Sequence, residues 1–171
     1  MNTIFKRIEL LANVAIITVA LLLGGVLIKR FVFTSQTPNQ SSREQTNIGD
    51  RVTLANVDWS KNNSSLLLVL SEGCKYCTDS GAFYRRLAKV RAEQNAIRMI
   101  AVLPQTVGDG QKYLNSLDVS VDEVRQAPLN ALGIRGTPTL LLVNNAGIVT
   151  DIWIGKLPPE KEDEVLNRLR L

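Results

Sequence analysis

The sequence predicts an α/β fold, in which a central mixed β-sheet is flanked by helices, together with an N-terminal transmembrane helix. Residues 66–70 and 97–103 are short, continuous apolar runs, which are typical of strands buried on both faces of a sheet. Segments with helical periodicity lie between and after these runs. Towards the C-terminus, two further apolar runs are joined by a turn at 144–147, which predicts a hairpin. Strands that alternate with helices in this way favour an α/β sandwich.

Each element of the domain is predicted from its own local pattern. After the first apolar run, Phe83, Leu87 and Val90 recur at helical spacing. The predicted strands cover residues 51–57, 66–70, 97–103, 140–143 and 148–154. The predicted helices run from residue 77 to about 95 and over residues 109–117, 127–132 and 160–171.

The transmembrane helix is predicted from an uncharged apolar run of 19 residues, 10–28. At ~1.5 Å per residue this run is about 28 Å long, close to the hydrocarbon thickness of a bilayer. A cleaved signal peptide is the alternative, because two basic residues precede the run. The run is longer than a usual signal-peptide core, however, and no small-residue cleavage site follows it. We therefore predict an uncleaved anchor over residues 1–33, with an orientation that charge alone leaves nearly balanced.

A polar linker and a folded domain are predicted after the anchor. Residues 34–49 are almost wholly polar and cannot form a core, so they predict a flexible spacer. The domain is predicted over residues 50–171. Of the net charge of +4, the anchor segment holds four basic residues and one acidic residue, which leaves 16 basic and 15 acidic residues for the remainder. Because the domain carries almost no basic excess, no nucleic-acid partner is predicted.

The chain contains no histidine, and its two cysteines lie within four residues, Cys74-Lys75-Tyr76-Cys77. The lack of histidine excludes Ser-His-Asp and Cys-His nucleophiles, a histidine general base and histidine metal ligands. The cysteine motif follows a predicted buried strand and opens a helix. We predict no bound metal and no cofactor other than a redox-active Cys74–Cys77 disulfide.

A redox dithiol is the leading interpretation of this motif. At the start of a helix, Cys74 faces unpaired backbone amides and the positive end of the helix dipole, which favour its thiolate. Lys75 adds positive charge and is predicted to tune that thiolate. The thiolate is the attacking species in disulfide exchange, so Cys74 is the predicted nucleophile. Cys77, one helical turn further on, is the predicted resolving thiol.

Two other interpretations of the cysteine pair remain open. A structural zinc site needs four ligands, and here carboxylates or a second subunit would have to complete it. A structural disulfide would close a very short loop and would therefore constrain the unfolded chain very little.

The order of these landmarks resembles the thioredoxin superfamily over roughly residues 50–171. The matching features are the strand 66–70, the Cys74–Cys77 motif at the start of a helix, and Gly136-Thr137-Pro138-Thr139 before the strand 140–143. The hairpin turn, Gly155 and the terminal helix complete the pattern. With its anchor and an inserted segment at 106–132, the chain looks most like the membrane-anchored TlpA-like thiol-disulfide oxidoreductases.

The resemblance implies a cis peptide bond between Thr137 and Pro138. It also implies that this loop lies against the dithiol and binds an incoming extended peptide. Tyr76, which departs from the family pattern, is predicted either to contact the partner or to cover the dithiol. The implied partners are proteins that carry disulfides or dithiols, together with a membrane redox partner. The implied location of the domain is the extracytoplasmic, periplasmic side of a bacterial membrane.

The sequence departs from thioredoxin near the cysteines. Gly73 stands where thioredoxin has tryptophan, and Lys75-Tyr76 replaces Gly-Pro. Leu68 occupies the position of a buried acidic residue that accepts the proton of the resolving thiol, and Glu72 or Asp79 is a candidate substitute. The alternative function is a non-enzymatic interaction module, in which a thioredoxin-like fold docks a membrane or exported partner.

Overall fold

A single five-stranded mixed sheet organises the domain in the computed structural model, which describes residues 45–93 and 97–170. Its strand order is β3-β2-β1-β4-β5; β1, β2 and β3 are parallel, and β4 and β5 run antiparallel to their neighbours. The strands are β1 (Ser64–Val69), β2 (Ile97–Leu103), β3 (Glu123–Gln126), β4 (Thr139–Asn144) and β5 (Val149–Ile154).

Four α-helices pack on one face of the sheet, against alternate residues of the central strands. They are α1 (Lys75–Asp79), α2 (Gly81–Glu93), α3 (Val107–Ser116) and α4 (Pro159–Leu169). The opposite face is covered by loops and by the short 3-10 helix Leu129–Leu132, with Trp59 of a second 3-10 helix packed alongside. Leu67 and Leu68 are neighbours in β1 and therefore point to opposite faces of the sheet. Both are fully buried because β1 is covered on both faces. This explains why β1 lacks the alternation of a half-exposed strand.

The central elements confirm the predicted α/β class with a mixed sheet. The predicted strand 97–103 matches β2, and the predicted terminal helix matches α4 within two residues at either end. The predicted helix 109–117 begins two residues earlier, because the Thr106 hydroxyl accepts a hydrogen bond from the Asp109 amide and caps α3. The predicted helix 127–132 is a 3-10 helix over Leu129–Leu132.

Two predicted features of the secondary structure were wrong, and one strand was not predicted. The predicted strand 51–57 contributes one isolated bridge, Arg51 to Ile148, before the backbone turns at Asn56, which has a φ of 58°. The predicted continuous helix after Cys77 is divided into α1 and α2 at Ser80, whose hydroxyl donates to the Tyr76 carbonyl at 2.8 Å, a bond of the kind that bends helices. Strand β3 was not predicted, because it has a single buried apolar residue, Val124.

The chain joins the sheet slightly before the predicted start of the domain. The Thr46 amide donates to the Gly133 carbonyl at 3.1 Å, and the Gly49 amide donates to the Val149 carbonyl at 2.8 Å. The predicted anchor 1–33 and most of the predicted linker lie outside the described residues. Among the helices of residues 45–93 and 97–170, none has the length and apolar character needed to cross a membrane.

Candidate functional site

The two cysteines lie at the carboxyl end of the central strand, where β1 passes through a short turn into α1. Cys74 is the N-terminal capping residue of α1, and its sulfur accepts a hydrogen bond from the Cys77 amide at 3.2 Å. Its own amide donates to the Ser71 carbonyl at 3.2 Å. Cys74 is half-buried, whereas Cys77 has no exposed surface, and the two are not bridged. A partner disulfide can therefore reach the Cys74 sulfur but not the Cys77 sulfur.

The loop that precedes β4 is brought against Cys74 by the pairing of β1 with β4, in which Val69 lies opposite Thr139. The Thr137–Pro138 peptide bond is cis, as the resemblance implied. The Cys74 thiol donates to the Thr137 carbonyl at 3.3 Å. The Gly155 amide donates to the Pro138 carbonyl at 2.7 Å, which ties the loop to the end of β5. The structure thus places the Thr137 carbonyl beside the Cys74 sulfur, with Pro138 next to it in the chain.

The environments of the two thiols shift their pKa values in opposite directions. Burial raises the pKa of the Cys74 thiol, but hydrogen bonds from the side chains of Cys77 and Thr137 and from the amides of Cys77 and Tyr76 outweigh it and lower the pKa. Burial, followed by the adjacent Cys74 sulfur, raises the pKa of Cys77 to about 11. Of the two thiols, the half-buried Cys74 is therefore the one that loses its proton first as the pH rises, and the thiolate is the attacking form in disulfide exchange.

The charged residues next to the cysteines pair with one another. The Lys75 ammonium group lies 2.6 Å from the Asp79 carboxylate, and Lys156 approaches the same carboxylate at 3.7 Å. The hydrogen bond and charge of Lys75 lower the pKa of Asp79. An ion-paired carboxylate of low pKa is a poor proton acceptor, which disfavours Asp79 as a substitute for the missing acid. The tuning role of Lys75 stays a prediction.

Leu68 leaves an apolar environment on the sheet side of the resolving thiol. It is fully buried in the same cluster as Cys77. Glu72, the other candidate acid, is exposed in the turn before Cys74.

Tyr76 lies between the two cysteines in the motif, and 59% of its surface is exposed, so that a partner protein could contact it. The described residues contain no cluster of three acidic, cysteine or histidine side chains able to hold a metal ion.

Three side chains near the dithiol were not predicted from the sequence. Gln105 follows β2 and hydrogen-bonds the turn before Cys74. The Tyr113 hydroxyl of α3 lies 3.2 Å from the Thr78 hydroxyl of α1. The Tyr84 hydroxyl of α2 is buried without a hydrogen-bond partner among the described residues. The position of Gln105 could have been noticed in the sequence, because polar residues that directly follow parallel strands gather at the carboxyl end of a sheet.

Comparison with solved structures shows that the domain has a thioredoxin-like fold. The thioredoxin domain of a thiol-disulfide oxidoreductase from Bacteroides vulgatus superposes with a TM-score of 0.57 at 14% identity, covering 74% of this chain and 100% of that chain. A thioredoxin-family thiol:disulfide interchange protein from Chlorobium tepidum gives 0.56 at 13% identity, covering 74% and 99%. StoA from Bacillus subtilis gives 0.52 at 11% identity, covering 71% and 93%.

Comparison of the sequence with family models and with curated proteins finds no significant match. The arrangement itself, a partly accessible thiol of lowered pKa next to a buried thiol of raised pKa, is suited to the exchange of disulfides.

Proposed function

We propose that this protein is a membrane-anchored thiol-disulfide oxidoreductase that exchanges disulfides with protein partners on the extracytoplasmic side of a bacterial membrane. The observation that carries the proposal is the asymmetry of the dithiol. Cys74 is reachable and its pKa is lowered, whereas Cys77 is fully buried and its pKa is raised. The fold shared with proteins described as thiol:disulfide interchange proteins supports it.

The first step of the proposed reaction forms a mixed disulfide. The Cys74 thiolate attacks one sulfur of a partner disulfide, so that a bond forms between Cys74 and that sulfur while the bond between the two partner sulfurs breaks. The second partner sulfur leaves as a thiolate and takes up a proton. Thr137 and Pro138 line the approach to Cys74 and are proposed to bind an extended segment of the partner, with Tyr76 as an exposed contact.

The second step releases the reduced partner. Cys77 loses its proton and attacks the Cys74 sulfur, which forms the Cys74–Cys77 disulfide and expels the remaining partner sulfur. Two electrons and two protons pass from the dithiol to the partner. In the reverse sense the Cys74–Cys77 disulfide oxidises a dithiol partner. A membrane redox partner is proposed to set the direction by renewing one of the two states, because no glutathione-like pool can be assumed outside the cytoplasm.

The test uses the full chain, purified in a mild detergent. Reduction of insulin disulfides should be measured for wild type and for Cys74→Ser, and Cys77→Ser should trap a mixed disulfide through Cys74. We expect turnover by wild type alone and a trapped partner that reducing agent releases. If wild type turns over no faster than Cys74→Ser and nothing is trapped, the non-enzymatic docking module becomes the better account.

The location is tested separately. We expect the full chain to stay with membranes after alkaline carbonate extraction, and a reporter fused after residue 171 to be active outside the cytoplasm. A reporter active only in the cytoplasm would overturn the proposed orientation without affecting the redox chemistry.

A further inference from the structure

Gln105 makes two hydrogen bonds to the turn 71–73, which connects β1 to Cys74. Its side-chain nitrogen donates to the Ser71 hydroxyl at 3.3 Å, and its side-chain oxygen accepts from the Glu72 amide at 3.3 Å. We propose that Gln105 is a positioning residue that holds this turn and thereby keeps the thiolate of the dithiol stabilised. The inference rests on the proposed function, because it names a further residue of the same site.

The turn matters because one of its residues serves both cysteines. The Ser71 carbonyl accepts the Cys74 amide at 3.2 Å, which fixes the start of α1. The Ser71 backbone also hydrogen-bonds the Cys77 sulfur, which opposes the effect of burial on the Cys77 pKa. A displacement of Ser71 would therefore shift the start of α1, where the amides of Tyr76 and Cys77 stabilise the Cys74 thiolate.

Apart from the bond between the Cys74 amide and the Ser71 carbonyl, few interactions within the turn hold it in place. Gly73 adopts a φ of 79°, a left-handed conformation that favours glycine. Within the turn, the Ser71 hydroxyl makes one long contact, 3.4 Å, to the Glu72 carbonyl. Apart from the bonds to Cys74 and Cys77, which follow the turn directly in the chain, the hydrogen bonds that reach the turn in the described residues both come from Gln105.

Gln105 is well placed to hold the turn. Strands β1 and β2 are parallel, and their pairing continues to the Leu70 amide, which donates to the Val102 carbonyl at 2.9 Å. The turn and Gln105 therefore leave the same edge of the sheet side by side. Pro104 restricts the backbone before Gln105, and Thr106 caps α3 directly after it. The half-buried amide is thus held between a rigid strand end and a helix start.

The test compares Gln105→Met, which has similar volume but no hydrogen-bonding amide, with Gln111→Met in the reduced full chain. Gln111 is a matched control, because it is exposed and bonds Asn115 within α3. The readouts are the pH profile of Cys74 alkylation by iodoacetamide and the equilibrium constant with glutathione. For Gln105→Met we expect a raised alkylation pKa and a rate at pH 7 lowered by roughly 3- to 10-fold, the factor that corresponds to the net contribution of one neutral hydrogen bond passed on to the Cys74 thiolate. Gln111→Met should match wild type.

A purely structural role for Gln105 predicts a lower melting temperature with an unchanged alkylation profile and glutathione equilibrium, and that result would overturn the proposal. Ser71→Ala removes one partner of Gln105 and keeps the proposal testable if Gln105→Met does not fold. It should raise the alkylation pKa in the same direction, and an unchanged pKa would count against the inference. Alkylation needs no protein partner, so a wild type with a low Cys74 pKa but no insulin turnover would overturn the proposed function and leave the role of Gln105 standing.

Discussion

The buried resolving thiol predicts a strong pH dependence for the second half of the exchange reaction. With a pKa of about 11, Cys77 is a thiolate in about one molecule in 10⁴ at pH 7. Formation of the mixed disulfide removes the negative Cys74 sulfur, which is one cause of that high value, but the burial of Cys77 remains. The resolution rate should therefore rise by about tenfold per pH unit between pH 6 and pH 9.

This dependence can be measured with an aromatic disulfide that releases a coloured thiolate in each of the two steps. In a stopped-flow experiment on the reduced full chain, the first phase reports attack by Cys74 and the second reports resolution by Cys77. We expect the first phase to level off at lower pH, because the Cys74 pKa is lowered, and the second to keep rising. The matched control, Cys77→Ser, should lose the second phase and keep the first.

Two results would refute this reasoning. A second phase independent of pH between 6 and 9 would mean that Cys77 is already ionised, or that a nearby base takes its proton. Alkylation of Cys77 at a rate comparable to that of Cys74 would mean that it is not buried in solution.

The remaining predictions concern single side chains around the dithiol. Leu68→Ala should lower the free energy of unfolding by about 2–5 kcal/mol in a denaturant titration, because Leu68 is fully buried, whereas the half-exposed Val107→Ala should cost far less. Tyr84→Phe should leave stability unchanged or raise it by up to about 1 kcal/mol, because the lost hydroxyl is buried without a partner among the described residues; a loss of 2 kcal/mol would reveal one. Tyr76→Ala should raise KM for a protein disulfide and not for a small aromatic disulfide, with stability within about 0.5 kcal/mol of wild type; equal effects on both substrates would exclude a role in partner contact. Asp79→Asn should leave the pH profile of the resolution phase unchanged, because its carboxylate is occupied by two lysines; a slower resolution step would identify it as the proton acceptor.

Much of the fold follows from patterns that are local in the sequence. The runs in β1 and β2 predict buried strands because a strand covered on both faces needs apolar residues at every position. The terminal helix follows from Val165, Leu166 and Leu169, which form one buried stripe. Strand β3 has no such pattern, because it gains its hydrogen bonds from the exposed edge of β2 and buries a single valine.

For the candidate site, too, some features follow from the local sequence and others need the tertiary structure. The spacing of Cys74 and Cys77 and their position after a buried strand are local features, and the prediction of a dithiol with Cys74 as nucleophile and Cys77 as resolving thiol rests on them. The resemblance to a known family, and not the residues alone, supplied the cis peptide bond before Pro138. The opposed pKa shifts need the tertiary structure, because they arise from burial by α2 and the sheet and from the neighbouring Thr137 loop.

The sequence by itself determined that this is an α/β protein with one cysteine pair and no histidine chemistry, because composition and short-range periodicity report what each segment can bury. The tertiary structure decided the hydrogen bonds and the burial that surround the pair. Gln105 reaches Ser71 across 34 residues of chain, and the Cys74 thiol reaches Thr137 across 63. Contacts of this kind depend on the strand order of the sheet, which places distant segments side by side and which no local pattern specifies.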